Sequence, residues 1–241
     1  MYVGGIEGDT LADKEVLLEV TEDHLNTGLR GVPVGTCRTS FVTPSEGVHY
    51  CGYPITELAS FEPEDIVYLL FNKELPTAEQ SVGIRQDLAS RAALPGDIES
   101  VLKTLPKFGH PMDWLSVGIH TLGMLETTND WKEDALNLIA RMPRLMGLIF
   151  RIREGREQDI PADDTSLSMV DRFVRTLDLH DVDDDKMKQI ISTYLVLHMD
   201  HGGGNLSTFA GKAIASSKAT VYSAMAGAMN ALSGPLHGRA N

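Results

Sequence analysis

Two loops carry the residues of this sequence whose types and spacing suit chemistry. Gly234-Pro235-Leu236-His237-Gly238-Arg239-Ala240-Asn241 sets an imidazole in a Gly/Pro-bounded turn just after a run of small residues. Upstream by 36 residues, His198-Met199-Asp200-His201-Gly202-Gly203-Gly204-Asn205 offers two more histidines, an aspartate and three glycines in a row. A histidine fixed in a rigid loop can donate a hydrogen bond to a carbonyl that gains negative charge during reaction. One at a helix C-terminus, where the helix dipole favours a cation, can meet an anionic substrate. Plainer readings stand beside these. His201 could be a core histidine donating to a main-chain carbonyl, and Pro235-Leu236-His237-Gly238 alone is only a loop with a histidine. His198, Asp200 and His201 could also be read as metal ligands, but the aspartate points away from the face shared by the two histidines and a further ligand is wanting.

The elements that must hold these loops are mostly helical. Apolar residues Met187, Ile190, Ile191, Tyr194 and Leu197 suggest a helix near 184–200 whose buried stripe leads into His198 and His201. The glycines end it, His201 is expected to face inward, and Asn205 is placed to cap the following helix. That helix and the next carry Ala210, Gly211, Ala213, Ala215 and Ser216 against Ala224, Gly227, Ala228 and Ala231, spacing that lets two axes approach closely. Further back, Pro63 opens a helix, and Thr77 with Gln80 has the form of a capping box. Pro111 stands in the first turn of another. Trp131 to Arg153 reads as a long helix bent or broken at Pro143, and a helix near 165–177 follows a polar loop from Gly155. Near the start, residues 37–42 and 48–53 suggest a β-hairpin around Thr43-Pro44-Ser45-Glu46-Gly47. A Val42–Val48 pair in that hairpin would set Cys51 opposite Thr39 and Cys37 opposite Tyr53, so the two thiols are expected to be free. The fold class is mostly α, divided into an N-terminal segment over 1–36 and a large helical domain over 37–241.

Composition narrows the function classes. A formal charge of −13 argues against nonspecific nucleic-acid binding, which needs clustered Lys and Arg. A local exception runs from Arg141 to Arg156, with five arginines and a single acid, Glu154. It reads as a solvated helix face or as a steering patch for a small polyanion. The acidic run Asp181-Val182-Asp183-Asp184-Asp185 suits a helix N-terminus. No apolar run is long enough for a membrane span, and the first residues lack a secretory layout, so a cytoplasmic location is expected. A processed mitochondrial chain would have the same composition.

The ordered motifs resemble the citrate synthase family over nearly the whole chain from about Gly28. Gly52-Tyr53-Pro54-Ile55 with Leu58-Ala59 is similar to an early "RGY-I-LA" segment, with Cys51 where the arginine usually stands. Ile66-Val67-Tyr68-Leu69-Leu70 and Glu74-Leu75-Pro76-Thr77 resemble "AYLL…GELPT". Leu105-Pro106-Lys107, His110-Pro111-Met112-Asp113 and Leu138-Ile139-Ala140-Arg141-Met142-Pro143 have counterparts in the same order. The two histidine loops resemble the family's diagnostic "HADHEGGN" and "GPLHGGAN". Departures are Gly202 for the usual Glu, expected to loosen supporting hydrogen bonds, and Arg239 at a variable position.

The resemblance implies a multi-helical large domain with a small β-hairpin, the family's C-terminal small domain lying outside these residues. It implies condensation of acetyl-CoA with oxaloacetate to citrate and CoA, a reaction of the tricarboxylic acid cycle. His237 would hydrogen-bond the thioester carbonyl and stabilise the enolate or enol. His201 would hold oxaloacetate, with Asn205 in the same pocket wall. Acetyl-CoA is the substrate and CoA the product, and neither a metal nor a prosthetic group is expected. A homodimer is implied, with helices near 111–124 and 220–232 at the interface, and neither nucleic acid nor membrane as partner. The family's second catalytic histidine, its aspartate base and its carboxylate-binding arginines have no counterpart among these 241 residues, so the chain alone is expected to be inactive. A 2-methylcitrate synthase shares the same histidine loops. A non-catalytic paralogue, or half of a split enzyme acting as a binding module, is the reading from another class.

Overall fold

Turn chemistry shapes the first ordered element of the larger part of the chain. Thr43-Pro44-Ser45-Glu46-Gly47 reverses direction with Gly47 at φ +78°, and β1 (Ser40–Thr43) pairs antiparallel with β2 (Gly47–Tyr50). The Val42–Val48 register holds, and the Cys51 amide donates to the Thr39 carbonyl at 2.7 Å. The expected second strand stops short of residue 53, however. Cys51 (φ +50°) and Gly52 (φ +94°) form a second tight turn, and β3 (Tyr53–Pro54) folds back onto β2. The hairpin is therefore a three-stranded sheet in the order β1-β2-β3, and Tyr53 pairs with Tyr50 rather than facing Cys37. Both cysteines are free.

The computed structural model describes residues 15–26, 32–33, 35–179, 182–200, 202 and 204–238. The chain divides into two units, Met1–Gly35 and Thr36–Asn241. Within the first, Glu22–Asn26 forms a 3-10 turn in which the Thr21 amide donates to His24 Nδ1 at 3.0 Å.

Helices make up the rest of the second unit: α1 (Ile55–Leu58), α2 (Pro63–Asn72), α3 (Ala78–Arg91), α4 (Asp97–Thr104), α5 (Pro111–Glu126), α6 (Trp131–Arg153), α7 (Met169–Leu177), α8 (Asp184–His198), α9 (Leu206–Ala215) and α10 (Val221–Leu232). Their ends follow local chemistry. Thr77 and Gln80 form the reciprocal capping box of α3, and Pro111 sits in the first turn of α5. Asp183 accepts from the amides of Asp185 and Lys186 to cap α8, and Asn205 accepts from Thr208 to cap α9. Of the bend or break expected at Pro143, a break is absent: α6 runs continuously through the buried proline.

The largest core lies among α4, α5, α6 and α10, around Leu102, Trp114, Leu122, Leu145, Leu148 and Tyr222. A second gathers Tyr50, Leu58, Ile66, Leu69 and Val196 between the sheet, α2 and α8. The five arginines from Arg141 to Arg156 are neither a solvated face nor an open patch. Arg151 is fully buried, giving its guanidinium to the carbonyls of Thr176 and Asp159 and to Asp178 Oδ2. Arg141 binds Glu126 and the Ala93 carbonyl, Arg153 the Gly109 carbonyl, and Arg156 the carbonyls of Leu177 and Asp178. These cations staple loops to α6 because a guanidinium can satisfy several carbonyls that would otherwise be buried unpaired.

The α5–α10 contact depends on missing side chains. A Cβ on Gly123 would stand 2.5 Å from Tyr222 Cβ, and the Ser116 hydroxyl donates to the Ala226 carbonyl at 3.4 Å. The α9–α10 contact is equally close, with a Gly211 Cβ placed 3.4 Å from Ala228 Cβ. Gly123→Ala gains roughly 1 kcal/mol of helix propensity. It meets a fixed Cβ, so a net loss of about 1–3 kcal/mol is expected from overpacking. Gly227→Ala meets only the far end of Ile214 at 2.0 Å and should lose less. Chemical denaturation of both variants checks this, and a Gly123→Ala protein as stable as the parent would contradict it.

Candidate functional site

The turn after α10 is built by its own backbone. The His237 amide donates to the Gly234 carbonyl at 3.0 Å, and that of Gly238 reaches back to the Leu232 carbonyl at 2.9 Å. A side chain at 238 would run into Leu232, with contacts of 2.7–2.8 Å, so this closure requires glycine. Pro235 and the closed turn hold His237 beside the first turn of α9. There the Ser207 amide donates to His237 Nε2 at 3.4 Å, with the Ser207 hydroxyl 3.1 Å from the same nitrogen. Ser207 Oγ in turn donates to Asn205 Oδ1 at 2.8 Å, and that oxygen also accepts from the Thr208 amide at 2.8 Å.

This network selects a tautomer. An amide N–H can only donate, so Nε2 must be the acceptor and the ring's N–H falls on Nδ1. His237 is thereby left with Nδ1 as its donor, and a donor held in a rigid turn can polarise a carbonyl oxygen. His237 and Asn205 are brought together through Ser207, a residue not singled out in the sequence. Its signal was available: it stands two residues after the cap Asn205, at a helix N-terminus where amides have no intrahelical acceptor. His201 lies outside the described residues.

The helix leading into this loop differs from the expected pattern. Ile190 (63% exposed), Tyr194 (59%) and Leu197 (38%) face outward, and Val196 is the buried residue of α8. α8 packs on α2 and α7, so its inner face passes through Val196, with Met199 beyond it, rather than through the larger side chains. His198 is exposed, stacked on Tyr194 at 4.1 Å with its Nδ1 2.8 Å from the Tyr194 carbonyl. The Asp200 carboxylate accepts from Thr39 Oγ1 at Oδ2, and at Oδ1 from Ser40 Oγ (2.7 Å) and the Gly202 amide (3.0 Å). Its own amide donates to the buried Tyr50 hydroxyl at 3.2 Å. Gly202 has φ +92°, a region that suits glycine better than glutamate. Among the described residues, no group of three or more His, Cys, Asp or Glu could hold a metal ion, and no helix is long and apolar enough to cross a membrane.

A helical scaffold thus sets the His237 ring beside the first turn of α9, just after the glycine-rich loop. Residues 28–241 match the family described as "Citrate synthase, C-terminal domain", and the chain belongs to the citrate synthase family. It is 32% identical over 252 residues to citrate synthase 4, mitochondrial, of Arabidopsis thaliana, covering 95% of this chain and 52% of the relative. To citrate synthase 5, mitochondrial, of the same plant it is 34% identical over 247 residues, covering 92% and 51%. Its fold matches the crystal structure of citrate synthase from Thermotoga maritima MSB8 with a TM-score of 0.77 at 28% identity, covering 89% of this chain and 57% of that one. For the enzyme from Pyrobaculum aerophilum the TM-score is 0.78 at 26% identity, covering 87% and 55%. The chain spans about half the length of the curated relatives it matches. The expected cytoplasmic location is overturned, because these curated relatives are mitochondrial proteins. Composition had no power to separate cytosol from matrix.

The sheet edge beside the loop separates the two thiols chemically. Partial burial acts to raise the Cys37 thiol, but hydrogen bonds from Thr39 and Ser40 outweigh it and bring it down to about 7. Burial, joined by the Asp200 charge, pushes Cys51 up. Only a thiolate alkylates rapidly. Iodoacetamide at neutral pH, followed by peptide mass mapping, should therefore label Cys37 well before Cys51, with a rate that climbs through about pH 7. Equal labelling of the two would contradict the assignment.

Proposed function

We propose that this chain supplies the oxaloacetate-binding and carbonyl-polarising part of a citrate synthase active site. The observation that carries the reading is the Ser207 amide aimed at His237 Nε2, which leaves Nδ1–H as the donor. In the proposed reaction that N–H binds the thioester oxygen of acetyl-CoA. A carboxylate removes a methyl proton, and the negative charge moves onto the oxygen where the donor waits. The enolate carbon attacks the ketone of oxaloacetate, held by His201 with Asn205 in the pocket wall. Water then cleaves the citryl thioester, giving citrate and CoA. By the resemblance to the family, the carboxylate base and a second histidine come from outside these 241 residues.

Two further parts belong to the proposal. A mitochondrial location follows from the curated relatives. A homodimer through α5 and α10 is supported by the apolar side chains those helices leave exposed, Val117, Met124, Leu125 and Met225.

Calorimetric titration of the purified chain with oxaloacetate tests the reading. Binding is expected, with loss of about tenfold or more in affinity for His201→Ala, the effect of removing one charge-assisted hydrogen bond. A thiol reagent should detect no CoA release from acetyl-CoA plus oxaloacetate with this chain alone. Absence of oxaloacetate binding would sink the pocket, and released thiol would sink the claim that the base lies elsewhere.

A further inference from the structure

At its described glycines the loop between α8 and α9 gains no hold from side-chain packing. Ideal Cβ positions at Gly202 and Gly204 meet nothing within 4 Å, so these residues reach no neighbouring surface, and glycine backbone surrenders the most entropy on ordering. Such a segment keeps one conformation only where hydrogen bonds fix its ends. Its far end is secured by Asn205, through Thr208 and Ser207. Its near end is secured by Asp200, which reaches across 160 residues of sequence to Ser40 and is also bound by Thr39 Oγ1 and the Gly202 amide. The main chain of Asp200 is pinned as well, by its amide on the Tyr50 hydroxyl at 3.2 Å. Tyr50 is fully buried, in the cluster that contains Val196 of α8. The sheet edge and the loop thus form one hydrogen-bonded unit. Both sequence neighbours of His201 take part in it, Asp200 through side chain and main chain and Gly202 through its amide.

We propose that Asp200, held by the hydroxyls of Thr39 and Ser40, is the positioning residue of the oxaloacetate pocket. It sets the loop that carries His201 and touches no substrate itself. The proposal rests on the reading of His201 and Asn205 as oxaloacetate-pocket residues. It also gives the sheet a purpose: the start of β1 and the residue just before it supply the two donors that hold the loop. Hydroxyls suit this task because each donates to the carboxylate without adding charge beside an anionic substrate.

The test titrates oxaloacetate into the parent chain, Asp200→Ala, the Thr39→Val plus Ser40→Ala pair, and the combination of all three. It also follows amide hydrogen exchange over residues 198–205. Asp200→Ala is expected to weaken oxaloacetate about tenfold or more, as for a lost hydrogen bond to a charged group. The hydroxyl pair should do nearly the same while leaving the carboxylate in place. The triple variant should be little worse than either, because one clamp is lost only once. Asp200→Asn keeps an acceptor oxygen and should recover part of the affinity, which a general loss of stability would not reproduce. Exchange over 198–205 should quicken in the variants while α5 and α10 stay protected. Parent-like affinity in Asp200→Ala, losses that multiply in the triple variant, or unchanged exchange would each overturn the proposal. A parent chain that binds no oxaloacetate would remove the pocket reading, and the exchange result would then decide the clamp by itself.

Discussion

Helices α5, α9 and α10 approach closely where a glycine on one meets a side chain on the next, and His237 follows from that contact. Gly123 lies against the Cβ of Tyr222, and Gly211 against Ala228. The Ser116 hydroxyl takes up the Ala226 carbonyl. α10 is thereby fixed between two neighbours, and the turn that ends it, closed by Gly238 on Leu232, can reach only the first turn of α9. There an amide with no acceptor inside its own helix meets an imidazole nitrogen. Close packing, turn closure and tautomer form one chain of causes, each step limiting the next.

Electrostatics in this chain serves construction more than attraction. A net charge of −13 would disperse a loosely held surface, yet the arginines of α6 point inward and bind carbonyls. Asp200 is handled in the opposite way. Its carboxylate accepts from two hydroxyls and a main-chain amide, which tie the loop to the sheet edge. Both arrangements satisfy buried or half-buried polar groups at geometric positions that water could not hold.

Local features were legible in the sequence because they are decided by residues near each other. The capping box at Thr77, the cap at Asn205, Pro111 in the first turn of α5 and the Val42–Val48 register all depend on neighbours a few residues apart. The small-residue faces of α9 and α10 could also be read, since only close approach explains their spacing. What escaped is set by distant partners. The inner face of α8 runs through Val196 because the sheet and α2 wait there, and the larger Ile190 and Tyr194 lose that competition. The third strand needed the left-handed backbone of Cys51, a conformation that residue type does not announce. Asp200 was visible only as a doubtful metal ligand, because its donors lie some 160 residues away. Ser207 needed the fold of α10 to show which ring its amide would meet.

The central claim is that the His237 ring accepts the Ser207 amide at Nε2 and carries its donor hydrogen on Nδ1. Nitrogen-15 NMR of histidine-labelled chain, correlating ring nitrogens with the carbon-bound protons, reads the tautomer directly. The account requires the His237 signal set to show an unprotonated Nε2 and a protonated Nδ1 at neutral pH, and to lose that preference when Ser207 is replaced by proline, which has no amide proton. A ring protonated at Nε2 in the parent chain, or a tautomer indifferent to the residue at 207, would contradict it.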